Sequence, residues 1–99
     1  MAKSYEMRVK VLAIGEVEQV SDNFKKREVI GMIEGEYPDY HKFEFVQDKT
    51  ELPDDLIEGT YATIHFNLRG RKVDPKPKDK DQSAKYFTSL QAWKIDAAG

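Results

Sequence analysis

Two runs of basic side chains hold the chemistry this sequence is best equipped to perform. Lys25-Lys26-Arg27 is one, and Arg69, Arg71, Lys72, Lys76, Lys78 and Lys80 make up the other. Such side chains neutralise phosphate oxygens and release the counterions held there. Between residues 69 and 80 there are six basic and two acidic residues, whereas residues 48–58 carry five acids against Lys49. The whole chain of 99 residues has a net charge of −2, so its overall field does not attract polyanions. The screening length at physiological salt is about 8 Å, which makes local patches decisive.

A site for an unpaired strand needs rings as well as cations, because bases stack on aromatic faces while the backbone follows the charge. Tyr40 and Lys42 share one parity of a short alternating segment, Tyr37 lies in the turn before it, and Phe24 borders the first basic run. Other chemistries find little support. There is no cysteine, and His41 and His65 are the only histidines, with no carboxylate at ligand spacing, so neither a metal nor a cofactor is expected. No nucleophile stands with a base and an orienting group, and an enzyme is not expected. The chain has no apolar run of the roughly 18 residues that a membrane helix needs. With no secretory-type start and no cysteine, a cytoplasmic location is expected.

The elements that must position these residues read mainly as strands. Met7, Val9 and Val11 alternate with Arg8 and Lys10, and the parity then slips at Leu12 and Ile14 before Gly15, which suggests a bulge or bend in one long strand reaching Val20. Ser21-Asp22-Asn23 is a turn, and a second strand is expected from about Arg27 to Glu36. After Tyr37-Pro38-Asp39 a third strand, Tyr40 to Val46, points Phe43 and Phe45 inward. Leu52 and Leu56 mark a short helix limited by Pro53. The fourth strand turns Ala62, Ile64, Phe66 and Leu68 to one side. A flexible, Pro- and Lys-rich loop is expected over about 73–84, and the last strand, Lys85 to Ile95, shows apolar residues on both parities. Both faces of that strand are therefore expected to be covered, and neither Phe87 nor Trp93 is assigned to core, interface or site.

Five strands with a helix between the third and fourth describe an all-β, Greek-key OB-fold barrel, one domain spanning 1–99 with its core at about 5–95. In this class the first and last connections flank the strand face that grips single strands. Both basic runs are expected in those connections, and Leu52 and Leu56 are expected to plug the barrel bottom.

Four blocks carry a resemblance: Phe24–Glu28, Lys42–Lys49, Phe66–Arg71 and Tyr86–Ile95. They resemble a small bacterial domain family of unknown function, found chiefly in Bacteroidetes and their phages, which is itself similar to single-stranded DNA-binding proteins of the OB fold. The resemblance implies an OB barrel and single-strand binding, and Tyr40 matches the outward aromatic at the start of the third strand in such binders. The acidic recruiting tail common among them has no counterpart in residues 95–99.

The expected function is binding of single-stranded nucleic acid, DNA before RNA, with little sequence preference. Lys25, Lys26, Arg27, Lys42, Arg69, Arg71 and Lys72 are expected on phosphates, and Tyr37, Tyr40 and Phe24 on bases. Self-association into a homodimer or larger assembly is expected to lengthen the path. The rival expectation is a protein-interaction module using Tyr37, Tyr40 and Met32. An oligosaccharide binder is a weaker third, since the fold accepts such ligands.

Overall fold

The computed structural model of the chain describes residues 4–97. Six strands and one 3₁₀-helix follow in order: β1 Ser4–Ile14, β2 Glu18–Ser21, β3 Phe24–Ile33, β4 Asp39–Val46, η1 Gln47–Asp55, β5 Tyr61–Val73 and β6 Lys85–Ala97. β1 and β2 both pair antiparallel with β3, so they are two halves of one bent strand and the barrel has five staves. The sheet runs β1-β5-β6-β4-β3-β2, and the β1–β3 pairing closes it. β4 and β6 meet in parallel through Phe43↔Leu90 and Glu44↔Gln91. This is the OB barrel, with its helix between the third and fourth staves. Among the described residues no helix is long and apolar enough to cross a membrane.

The alternating residues meet inside. Val9, Val11, Val29, Phe43, Phe45, Ala62, Ile64, Phe66 and Ala92 form the buried core. Two one-residue bulges explain where the alternation fails. The β1–β3 register shifts between Val11 and Ala13, so Leu12 is the extra residue and Ile14 returns to the core side. On β6, Phe66 pairs with Ala92 and His65 with Lys94, which leaves Trp93 as the extra residue. Leu90 and Ala92 therefore point inward before the bulge and Ile95 after it. The two apolar parities of β6 are one inner face interrupted, not two covered faces. Trp93 lies outside, its indole Nε1 donating to Ser4 Oγ at 3.2 Å beside the His65 ring.

Two glycines mark where staves approach closely. A Cβ on Gly31 would lie 2.6 Å from Val9 Cγ2, and one on Gly15 would lie 2.9 Å from the Glu28 carbonyl oxygen. η1 plugs one end of the barrel as expected, with Leu52 and Leu56 half-buried against the core. Its fully buried residues are Thr50 and Pro53, three apart as one turn of a 3₁₀-helix requires. Gln47 enters the helix at φ 54°. Its side-chain amide donates to the Asn23 carbonyl at 2.8 Å, tying the helix start to the β2–β3 turn.

β5 and β6 stay paired to Val73↔Lys85, well past their contacts with β1 and β4. They form a two-stranded ribbon projecting from the barrel, closed by residues 74–84. Leu68 lies where the ribbon leaves, so it is 49% exposed and not in the core as its parity suggested.

Candidate nucleic-acid interface

The basic runs are strand residues more than loop residues. Lys25, Lys26 and Arg27 lie within β3, and Arg69, Arg71 and Lys72 within β5. A strand sends neighbouring side chains to opposite faces, so each contiguous run is divided. Phe24 and Lys26 take the outer face, while Lys25 and Arg27 share the parity of buried Val29. Arg27 is committed to the scaffold. Its Nε donates to the Gly15 carbonyl at 2.7 Å, and its Nη1 donates to the Thr50 carbonyl at 3.2 Å and to Asp54 Oδ1 at 2.6 Å. That geometry turns it away from solvent phosphates. On β5, Arg69 and Arg71 share one face, and Lys72 takes the other, 3.4 Å from Asp74.

The outer face collects the rest into one groove of about 830 Å³. Phe24 and Lys26 come from β3; Tyr40, Lys42, Glu44 and Val46 from β4; Arg69 and Arg71 from β5; and Phe87, Ser89 and Gln91 from β6. The β4–β6 ladder is only two pairs long, and beyond it the ribbon veers from β4, leaving a cleft with Tyr40 and Lys42 on one side and Phe87 and Ser89 on the other. Lys26, Lys42, Arg69 and Arg71 set the charge there against Glu44, the single lining carboxylate among the described residues. Lys42 is partly engaged, its Nζ 3.3 Å from Glu28 Oε2. Tyr40 is 63% exposed and Phe87 49%, so both rings present faces to solvent.

Of the ten residues expected at the site, Phe24, Lys26, Tyr40, Lys42, Arg69 and Arg71 line this groove, and Lys25, Arg27, Tyr37 and Lys72 do not. Tyr37 sits 85% exposed in the β3–β4 turn, outside it. Phe87, which like Trp93 the sequence leaves unassigned, lines the groove as well. It faces Arg71 across the ladder, and the two apolar parities of β6 hid which face it takes. No local pattern in the sequence announces its register with Arg71. His41 also borders the groove. His65 lies elsewhere, with Nε2 2.8 Å from Asp96 Oδ2 and Nδ1 3.5 Å from Glu6.

Known proteins share this architecture. The barrel superposes on the mitochondrial single-stranded DNA-binding protein Rim1 of S. cerevisiae in two crystal forms. One gives a TM-score of 0.72 at 5% identity, covering 98% of this chain and 96% of that one. The other gives 0.69 at 9% identity, covering 98% and 95%. The SSB domain of a Synechococcus sp. protein gives 0.68 at 16% identity, covering 97% and 94%. At such identities the likeness establishes the fold. No curated protein matches the sequence significantly. The chain belongs to a family described as a domain of unknown function, DUF3127, whose profile matches residues 6–96.

Proposed function

We propose that this member of the DUF3127 family binds single-stranded nucleic acid, DNA in the first instance, in the groove across β3, β4 and the β5–β6 ribbon. It holds the strand unpaired and catalyses nothing. One observation carries the reading: a single outer groove gathers Lys26, Lys42, Arg69 and Arg71 with the rings of Phe24, Tyr40 and Phe87. Cations spaced along a path take the phosphates and the rings take the bases, and the two together favour a strand whose bases are free to stack. A duplex hides those faces. The likeness of the barrel to the SSB domain and to Rim1 supports the same reading.

Phosphate contact here falls to Lys26, Lys42, Arg69 and Arg71. Stacking falls to Tyr40, Phe87 and Phe24, each such contact worth about 1–3 kcal/mol. Fluorescence anisotropy with labelled oligo-dT and with duplex DNA, at two salt concentrations, tests the reading. The single strand should bind at micromolar protein and the duplex more weakly. Affinity for the strand should fall with a log–log salt slope of roughly −0.7 per phosphate neutralised. Absence of binding at low salt removes the proposal. A protein partner held at Tyr37 and Tyr40 with no salt response would favour the interaction-module alternative.

A further inference from the structure

Resting on the single-strand reading above, we infer that Glu44 makes the groove selective among bases, favouring guanine. Glu44 stands in the outward row Tyr40, Lys42, Glu44, Val46 of β4 and is half-buried in the groove floor. It lies directly opposite Glu28 across the β3–β4 ladder. Like charges so placed are unfavourable. Lys42 relieves one of them, with its Nζ 3.3 Å from Glu28 Oε2, and among the described residues no ion pair engages Glu44. A carboxylate without a direct ion pair therefore shares a groove with four cations.

That carboxylate weakens phosphate binding, so backbone contact gives it no role. It can accept hydrogen bonds, and an ionised carboxylate does nothing else. The Watson–Crick edges of unpaired bases are open to such contacts. Guanine offers two adjacent donors there, N1–H and the N2 amino group, which match the two oxygens of one carboxylate. Cytosine and adenine each offer one amino group. Thymine offers N3–H between two carbonyl oxygens, both of which repel a carboxylate. Gln91 registers with Glu44 on the neighbouring stave and also lines the groove, and its side-chain amide can donate to the guanine O6. Along β4, Tyr40 is four residues away, about 13 Å, so a base stacked on that ring leaves room for a neighbour to turn its edge to Glu44.

The test is anisotropy of the full chain at one low salt concentration with three labelled strands of equal length. One is oligo-dT, one carries guanosine at every third position, and one carries inosine at the same positions, lacking only the N2 amino group. Guanosine should bind about fivefold or more tighter than the other two, since a good bidentate base contact discriminates at least that well. Glu44→Gln keeps the size and the fold-side contacts. It should bring the three strands to within about twofold of one another and tighten oligo-dT binding. Equal binding of all three by the natural chain overturns the inference and leaves the single-strand reading standing. A guanosine preference that survives in Glu44→Gln overturns the assignment to this residue, and a uniform gain across all three strands marks Glu44 as a mere charge. No binding of any strand overturns the underlying reading, and this inference with it.

Discussion

Arg71 faces Phe87 directly across the β5–β6 ladder, its guanidinium carbon 5.7 Å from the ring centroid. The pair lies on the projecting ribbon, away from the core, and it sets a cation beside a half-exposed ring. A cation over a ring face is itself modestly favourable, about 0.5–1 kcal/mol at exposed sites. It also holds the ring where a base can reach it.

Replacing Phe87 with Ala should weaken oligo-dT binding by about 1–3 kcal/mol, which is the range for loss of one stacked base. Because Phe87 is half exposed and outside the core cluster, the melting temperature should hardly move. Anisotropy and a thermal melt on the same sample check both parts. Unchanged affinity would take Phe87 out of the site.

The division of the first basic run makes neighbouring lysines unequal. Lys26→Glu should weaken strand binding severalfold and reduce the salt slope by roughly 0.7. Lys25→Glu, on the parity of Arg27 and Val29, should change affinity far less. A salt titration of the two variants separates them, and equal losses would mean that the groove extends around the β3 edge.

Arg27 should prove structural. It bridges the Gly15 carbonyl, the Thr50 carbonyl and Asp54, and hydrogen bonds from a charged donor to such groups contribute about 1.5–3 kcal/mol. The Asp54 carboxylate is 64% exposed, so solvent screening leaves most of that effect with the two carbonyls. Arg27→Leu should lower urea stability by about 1–3 kcal/mol while the folded variant binds oligo-dT as before. Lost affinity in fully folded protein would return Arg27 to the phosphate ligands.

Gly31 is the glycine at which an added Cβ would meet its neighbours most closely among the described residues. A Cβ there would meet Val9 Cβ at 2.8 Å and Phe43 Cε2 at 3.2 Å. Gly31→Ala should cost about 1–3 kcal/mol through overpacking, with a fall of about 4–8 °C in melting temperature per kcal/mol for a domain of this size. Adding Val9→Ala removes the nearest clashing atom, Cγ2 at 2.6 Å, and leaves only the Cβ contact, so the double variant should be more stable than the two single losses added together. Strict additivity, read from denaturant curves of all four proteins, would contradict the contact.

Asp96 supplies a pH dependence. The hydrogen bond from His65 holds its carboxyl below the ordinary value of 3.8, helped by the nearby Lys94 charge and only partly opposed by desolvation. A carboxyl depressed in the folded state stabilises the fold above its unfolded pKa, and that contribution fades as the pH falls through the folded value. Asp96→Asn should therefore lower the melting temperature at pH 6 and converge with the natural chain below the ordinary carboxyl range. Parallel melting curves across that window would rule out the linkage.

The barrel was legible because its inner rows are long and regular. Ala62, Ile64 and Phe66, with Phe43 and Phe45, declare a half-buried strand each, and Leu52 with Leu56 between them declares the plug. What stayed hidden depends on pairing over distance. A bulge inserts one residue and reverses every later parity, so Trp93 made β6 look apolar on both faces. The extent of β5 past Arg69 follows from its ladder with β6, which no local pattern announces. Arg27 reads as one more cation beside Lys26 until Asp54, 27 positions later, is brought against it. About half of the site followed from charge and ring content, and the division of each basic run followed only once those residues were known to be strand.

The groove has a floor of barrel staves and a flank formed by the ribbon, and the rings that line it stand open to solvent. A polymer can be laid into such a trough from the side, with no end to thread. On the proposed single-strand reading, interior stretches of a covalently closed circle are then as accessible as a terminus, and the protein would leave from the middle of a strand without running to its tip.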